Sequence, residues 1–492
     1  MAVFCAIIFT APLLGVANQN DFSRVMYGMR YDDWTYYYQN LFSKHLQLEY
    51  PFTPFPHGRL FGFPPAVSEI YFIYAARILS KLFGFAKFQL PIYAALTGTV
   101  YVGALSFLYR VVLPRKKPLR ILVGVILLLI FLDGYTVMWF NSLYGEPIVF
   151  IGIILTAASF LFAARRNSPR YSYVLFAVSS LIMIGGKLQA IELFAAAAPL
   201  ALYLLARAVK KRGIFKIVTL AVLFPVSVGY CWSLYSELGG DMNNQTTYQS
   251  VMTGLLPNAE HPGASLAELG LAQGFIADIG KNVYLDSSEY SYAAPFTEEW
   301  NQEFYAQISN EKIVKYYLKH MDEFVKGLEY LGRNSLSHGR NVGEDSRQLG
   351  LHTIAHPHTT NHNRFLLYSA FLNLLPKSFW FLLAILLLNA ALSLFLIVKK
   401  QVRAAVLILS LCLGGSLQFV MPYVFNGSCD TAKQLLIFGF LFDLLIFGLL
   451  RFGAPYLLPR PRPRRKRKPV CERIPAEQAP SRKPRERLGT YS

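Results

Sequence analysis

Asp21 and Arg24, the acid and the cation that follow the first long apolar run, have the spacing of a reactive pair. Residues three apart share one face of a helical turn. A partly desolvated carboxylate has a raised pKa and can act as a general base that takes a proton from a hydroxyl. Arg24 would then be placed to hold a phosphate. The alternative is an aspartate that caps a helix and forms a local ion pair.

Three short polar turns between later apolar runs carry side chains that can bind phosphate or sugar hydroxyls. They are 141–147, 185–189 and 430–434, with the candidate residues Tyr144, Glu146, Lys187, Gln189, Asp430 and Lys433. Each turn also has a purely structural interpretation. Glu146 would cap the helix that starts at Pro147, and Lys187 would extend to lipid phosphate. Asp430 and Lys433 would form an ion pair at a helix start.

Three further acids, Asp133, Glu192 and Asp443, lie inside apolar runs. Because an isolated charge is costly within a membrane, we expect each of them to pair or hydrogen-bond inside a helix bundle. They are therefore interpreted as structural.

Metal and nucleotide chemistry find little support in the sequence. The histidines of one Pro- and Thr-containing loop lack a carboxylate at helical ligand spacing, and metal ligands need a preset geometry. They are His352, His356, His358 and His362. The five cysteines show no CxxC spacing, and neither a GxGxxG nor a P-loop motif occurs. We expect no metal, no cofactor and no nucleotide site.

Long apolar runs recur along the whole chain of 492 residues, of which 54% are hydrophobic and 16% charged. This balance is far from that of soluble proteins and predicts an all-α, multi-pass membrane protein. Runs of roughly 17–25 apolar residues can cross a bilayer, which gives about ten predicted spans. They are 2–17, 89–109, 119–139, 147–164, 171–186, 188–206, 214–235, 378–398, 403–423 and 434–452. The first is interpreted as a retained helix rather than a signal peptide.

Basic residues cluster in short connections between these runs. With the amino terminus in the cytoplasm, the connections that carry 115–117, 165–166, 210–212 and 399–400 all fall inside, and they contain no Asp or Glu. Nearly all acids then fall outside. This is the positive-inside pattern, so the net charge of +19 indicates membrane orientation rather than nucleic-acid binding. Both termini are predicted to be cytoplasmic.

Two large loops, 18–88 and 236–377, lie outside in this topology. In the first, 66–83 is apolar but places Glu69, Arg77 and Lys81 on one face, which predicts an amphipathic helix in the membrane interface. In the second, apolar residues repeat at helical spacing over 303–331 and predict one amphipathic helix.

The chain is therefore divided into four parts. The Pro-, Arg- and Lys-rich tail is predicted to be disordered and attracted to anionic lipid headgroups. The parts are an N-terminal membrane module with the first outer loop (1–235), an extracytoplasmic subdomain (236–377), the C-terminal spans (378–458) and the basic tail (459–492).

The charged turns all fall on the outer face, which predicts one outward-facing cavity that a lipid-linked, phosphorylated substrate reaches from the outer leaflet. Several segments resemble, in the same order, the bacterial hexose transferases of surface-layer glycan biosynthesis. They are 15–26, 140–147, Lys187 with Gln189, 248–271, 374–381 and 430–434. These proteins are similar to the wider class of polytopic glycosyltransferases that use lipid-phosphate sugars, the GT-C class.

The resemblance implies a GT-C-like fold, a bacterial cell-membrane location and an acid in the first outer loop as catalytic base. Asp21 takes that role here. Many members carry paired acids in this loop, whereas Asn20 precedes Asp21 and the pair Asp32 and Asp33 lies farther along, so these two remain alternative bases. The short segment before the first span is another departure.

We therefore predict transfer of a hexose from a polyprenyl-phosphate donor to a glycan or lipid acceptor, with inversion. Arg24, Lys187 and Lys433 would bind the donor phosphate. The residues expected to bind sugar or acceptor hydroxyls are Tyr144, Glu146, Gln189 and Asp430. A monophosphate donor does not demand a metal. A transporter or flippase for lipid-linked glycan, and a glycan polymerase or ligase, are the alternatives.

Overall fold

Helices dominate the chain because a membrane offers the backbone no hydrogen-bond partner other than itself. The computed structural model describes residues 1–10, 13, 15–16, 48–51, 67–114, 116–336, 365–453 and 456. The helices of the first half are α1 (Ala2–Ile8), α2 (Glu69–Leu82), α3 (Leu90–Val112), α4 (Lys117–Phe131), α5 (Gly134–Val137), α6 (Glu146–Ala163), α7 (Tyr171–Gly185), α8 (Phe194–Lys210) and α9 (Ile214–Gln249).

The second half begins with a π-helical turn, Ser250–Leu255, that continues α9. The α-helices that follow are α10 (Pro262–Leu269), α11 (Glu298–Trp300), α12 (Asn310–Lys319), α13 (Met321–Ser335), α14 (Leu367–Leu374), α15 (Phe379–Val398), α16 (Val402–Asn426), α17 (Thr431–Gln434) and α18 (Leu436–Gly448). The 3₁₀ segments Met138–Phe140 and Leu188–Leu193 extend α5 and precede α8, and the π-helix Leu449–Gly453 ends the last span.

Each predicted span corresponds to a described helix, but not all are long enough to cross a bilayer. Seven helices pass on length and composition, and the pair Lys117–Phe131 with Gly134–Phe140, bent by 55°, makes up to eight in the described part of the chain. The all-α, multi-pass fold class is thus confirmed, and seven to eight of the predicted spans meet this criterion in the described part of the chain. The spans 171–186 and 2–17 correspond to a helix of 15 residues and one of 7.

The bundle is organised around α6, which packs against α3 and α7. In its most apolar window 89% of residues are buried, compared with 17% in Ile214–Ser236. The first is therefore the central helix and the second faces lipid. Helix α6 runs from the end of the bundle at Glu146, called the site end below, to the opposite end at Ala163.

The segment 250–336, called the loop subdomain, packs around a second apolar core. Side chains from α15, α16 and α18 also contribute to this core. Tyr423 of α16 lies 5.9 Å from Tyr317 between ring centroids, and Gly327 lets α13 approach this ring closely. Within the subdomain, Asp278 accepts backbone N–H groups of Ser291 and Tyr292 and pairs with Lys281. Burial alone would raise the pKa of Asp278, but these donors outweigh it and lower the pKa.

Two amphipathic segments differ from the sequence predictions. The three charged side chains expected on one exposed face over 66–83 are not all exposed. Helix α2 buries Glu69 and Arg77 and leaves Lys81 exposed, because it packs against α3, where the Tyr93 hydroxyl donates to the Glu69 carboxylate at 3.0 Å. The single helix expected over 303–331 is also wrong. The chain breaks at His320, which separates α12 from α13.

A short two-stranded sheet interrupts the helical fold. Strand β1 (Glu49–Pro51) pairs antiparallel with β2 (Lys87–Gln89), and Glu49 lies opposite Gln89. The sheet ties the first loop to the start of α3.

The predicted boundary between 235 and 236 lies inside α9, which continues to Gln249. The basic tail 459–492 and the four histidines of 352–362 lie outside the described residues.

The predicted orientation can be tested by cysteine labelling. Glu299 of the loop subdomain and Asn167, between α6 and α7, are both exposed. In a background whose five native cysteines are replaced by serine, Glu299→Cys should react with a membrane-impermeant maleimide in intact cells. Asn167→Cys should react only after permeabilisation. The opposite labelling pattern would reverse the predicted topology.

Candidate functional site

Glu146 and Lys187 form a buried ion pair at the site end of the bundle. The Lys187 ammonium donates to Glu146 Oε1 at 2.7 Å, and the two side chains are 6% and 0% exposed. Gly145 is the N-cap residue of α6, Glu146 is the first residue of this helix, and Lys187 is buried in the bundle. A buried charge is stable only when paired, and removing one partner of such a pair costs about 3–5 kcal/mol.

The contact between these residues depends on two glycines, because the backbones of the 141–147 and 185–189 turns nearly touch. A Cβ atom added to Gly145 would lie 2.3 Å from the carbonyl oxygen of Gly186. One added to Gly186 would lie 2.7 Å from a methyl carbon of Val149. Glycine at both positions therefore lets the start of α6 meet the end of α7.

A second buried pair connects the last turn to the first. Lys433 Nζ lies 3.4 Å from Asp430 Oδ2, so the expected local ion pair forms at the start of α17. The same ammonium lies 5.1 Å from the centroid of the Tyr144 ring. A cation at this distance from an aromatic face is attracted to it. Tyr144 thus brings the 141–147 turn into contact with the 430–434 turn, although the two are far apart in the chain.

Gln189 completes the cluster. Its side-chain amide donates to the backbone carbonyl oxygen of Gln434 at 2.7 Å. Its backbone carbonyl oxygen accepts a hydrogen bond from the Gln418 side chain at 2.9 Å. Gln418 of α16 also donates to the Glu192 carboxylate at 3.0 Å. The six predicted residues that the structure describes are therefore linked through direct contacts and neighbouring backbone, and we call them the site cluster. Its members are Tyr144, Glu146, Lys187, Gln189, Asp430 and Lys433.

Two acceptor oxygens of the site cluster are buried and have no donor among the residues that the structure describes. Glu146 Oε2 and Gln189 Oε1 accept no hydrogen bond from the described residues. Buried polar atoms are nearly always satisfied, so an exception calls for a partner such as a ligand or water. Hydroxyl groups are donors of suitable size. The cluster thus combines cations that suit phosphate with acceptors that suit hydroxyls.

Residues on both flanks of the first loop lie against the site cluster. The backbone N–H of Val16 donates to the carbonyl of Asn141 at 3.4 Å. After the loop, Ser68 donates through its backbone to Gly185 at 2.7 Å and through its hydroxyl to Ile182 at 2.9 Å. The remaining candidates of this loop lie outside the described residues. They are Asp21, Arg24, Asp32 and Asp33.

The acids inside the spans are hydrogen-bonded, as expected. Asp133 accepts from the backbone and side chain of Ser369, and Asp443 accepts from the Tyr368 hydroxyl at 2.6 Å. Both contacts hold α14 in place. Glu192 is bound by Gln418.

The sequence interpretation missed Gln418 and Gly427. Gln418 is one polar residue within an apolar run, which was a usable signal. Gly427 has φ of +60°, and an added Cβ would lie 2.4 Å from the Gln249 carbonyl oxygen. This glycine lets the 427–430 connection pack against the π-helical turn, and nothing in the sequence indicated that role.

Gly145→Ala should displace the two turns and destabilise the protein, since the added methyl overlaps the Gly186 carbonyl. Overpacking of this kind costs about 1–3 kcal/mol. The measurement is thermal unfolding of the purified protein in detergent. Gly103→Ala is the matched control, because a Cβ there meets nothing within 4 Å and alanine favours a helix. Equal melting temperatures for the two variants would contradict the described contact.

Comparison with known proteins identifies one family. A family model described as the YfdI N-terminal transmembrane domain matches residues 1–454, which includes every element of the site cluster. The comparisons with curated proteins and with solved structures gave no match. Both the matched domain and the apolar helices describe a multi-pass membrane protein. The chain belongs to the YfdI N-terminal transmembrane domain family.

Proposed function

We propose that this protein is a membrane glycosyltransferase that moves a hexose from a polyprenyl-phosphate donor to a glycan or lipid acceptor. The observation that carries the proposal is the site cluster: two buried lysines beside two buried acceptor oxygens that lack a donor among the described residues. A phosphosugar presents a phosphate anion and hydroxyl donors close together. Its chemistry is complementary to both halves of the cluster.

The lysines suit the phosphate. Lys187 and Lys433 form ion pairs inside the bundle with Glu146 and Asp430. An ammonium carries three N–H donors, so it can bind a carboxylate and a phosphate together. In a water-poor site this interaction is stronger than at a surface, and it would stabilise the negative charge that develops on the leaving polyprenyl phosphate. Arg24 is proposed to contribute a third cation.

The acceptor oxygens suit a sugar. Glu146 Oε2 and Gln189 Oε1 would each accept a hydroxyl hydrogen, which removes the cost of leaving them unsatisfied. Tyr144 and Asp430 are proposed to bind further hydroxyls. A site that is built to bind hydroxyl groups discriminates strongly against analogues that lack them.

The proposed reaction exchanges one bond for another at the anomeric carbon. The acceptor oxygen forms a bond to this carbon as the bond to the phosphate oxygen breaks, and the electron pair leaves with polyprenyl phosphate. Asp21 would take the acceptor proton, with Asp32 or Asp33 as alternative bases. Attack from the face opposite the phosphate inverts the anomeric centre.

Location and partners follow from this chemistry. We propose that the chain lies in a bacterial cell membrane with both termini in the cytoplasm and a GT-C-like arrangement, so that the site cluster opens outward. The donor would enter from the outer leaflet. The basic tail would bind anionic headgroups on the other side.

An assay with purified protein separates the transferase from its alternatives. Incubation with a panel of polyprenyl-phosphate hexoses and candidate acceptors should release polyprenyl phosphate and a product one hexose larger. A flippase would move the donor between the leaflets of a vesicle without release. A polymerase or ligase would transfer a preassembled chain and leave the single hexose unused. Failure of every donor in the panel, combined with flipping, would refute the proposal.

The sharpest test concerns the base. Asp21→Asn keeps shape and hydrogen bonding but removes proton acceptance, so turnover should fall by roughly 10²–10⁴-fold. Donor binding should change little, because the proposed phosphate contacts come from cations. Asparagine is as good an N-cap as aspartate, so a purely structural Asp21 would leave activity nearly intact. In that case Asp32→Asn and Asp33→Asn, assayed in parallel, would identify the alternative base.

A further inference from the structure

A cavity lies at the opposite end of the bundle from the site cluster. It has a volume of about 580 Å³ and is lined by residues from the ends of α3, α6, α8 and α16 and from the π-helix that ends the last span. The two sites are separated by α6, whose 18 residues span about 27 Å at the helical rise. That distance is close to the hydrocarbon thickness of a bilayer. The cavity therefore lies at the headgroup level of the other leaflet.

The charged lining of this cavity has one sign. It contains six cations and no Asp or Glu, and we call it the basic cavity. The cations are Arg165, Arg166, Arg207, Lys400, Arg403 and Arg451. Within the described ranges none of them forms a salt bridge, in contrast to the paired lysines of the site cluster. A concave surface lined by one sign of charge concentrates counter-ions.

Part of this charge has a structural use. Arg451 donates to the carbonyl of Val112 at 2.6 Å, and Arg207 donates to the carbonyl of Arg165 at 3.2 Å. Cations at the carboxyl ends of helices satisfy their last carbonyl groups and their dipole. These contacts account for two of the six cations, Arg451 and Arg207.

Arg166 and Arg403 have no such use, since both are exposed and neither side chain hydrogen-bonds within the described part of the chain. Arg403 is also the second residue of α16, where the helix dipole makes a cation unfavourable. Both guanidinium groups line the basic cavity. An anion bound there would offset the repulsion between the cations of the basic cavity.

We propose that the basic cavity binds a phosphate group, supplied by an anionic phospholipid headgroup or by free phosphate. Arginine is suited to phosphate because its planar fork binds two oxygens at once. The same cavity has apolar walls formed by Val112, Leu161 and Phe452. Such walls suit the glycerol and upper acyl segments of a lipid. This site is independent of the proposed transferase chemistry.

Native mass spectrometry of the full-length protein in detergent tests the proposal, with short-chain phosphatidylglycerol as probe and phosphatidylcholine of equal chain length as reference. The wild type should prefer phosphatidylglycerol. The double variant Arg166→Gln/Arg403→Gln should weaken its binding about tenfold or more, because two cations near the phosphate are lost. Arg166→Lys/Arg403→Lys should retain most of it. Thermal unfolding confirms that each variant is folded.

The matched control is Lys117→Gln/Lys210→Gln, which removes the same charge from exposed positions at the same end of the bundle but outside the cavity. Its effect should be below threefold. An equal loss in both double variants, or no lipid preference in the wild type, would overturn the proposal. Inorganic phosphate is titrated separately. Competition that depends on Arg166 and Arg403 would assign the cavity to free phosphate, and absence of competition would assign it to the lipid.

Discussion

A membrane bundle must neutralise any charge that it buries, and the Glu146–Lys187 ion pair is the central instance in this protein. The pair crosses from the start of α6 to the end of α7 at 2.7 Å. Gly145 and Gly186 permit the close approach of the two turns. The second pair, Asp430–Lys433, is connected to this region by the contact between Lys433 and the Tyr144 ring. Without its partner either lysine would leave an uncompensated charge inside the bundle, which is costly. The geometry of the site end follows from this requirement.

Much of this arrangement could be predicted because charge next to apolar runs is informative. Residues such as Lys187 and Lys433 stand out in a sequence that is mainly hydrophobic, and helix ends on one side of a membrane are neighbours whatever their separation in the chain. The Asp430–Lys433 pair followed from local spacing alone. The partners of Glu146 and Gln189 could not be predicted from the sequence, since these contacts depend on which helices pack together.

Tertiary packing also explains the sequence predictions that failed. Glu69 and Arg77 have the spacing of a water-facing stripe, but both are buried, and Tyr93 of α3 binds Glu69. A single sequence does not reveal such packing. His320 breaks a segment whose apolar repeat is continuous, because the backbone there leaves helical geometry. The positive φ of Gly427 and its close contact with the Gln249 carbonyl are properties of the folded connection, which the sequence did not indicate.

The uneven exposure of the spans has a consequence for how such a chain can change over time. Along the lipid-facing surface of Ile214–Ser236 any apolar side chain serves nearly equally well, because the surrounding acyl chains are fluid and take the shape offered to them. The connections around Gly145, Gly186 and Gly427 have no such freedom, since backbone meets backbone there. Substitutions should therefore accumulate quickly on the outer helices and slowly in the shortest connections. In an alignment of relatives, the longest stretches of the chain should drift while a few brief turns stay constant.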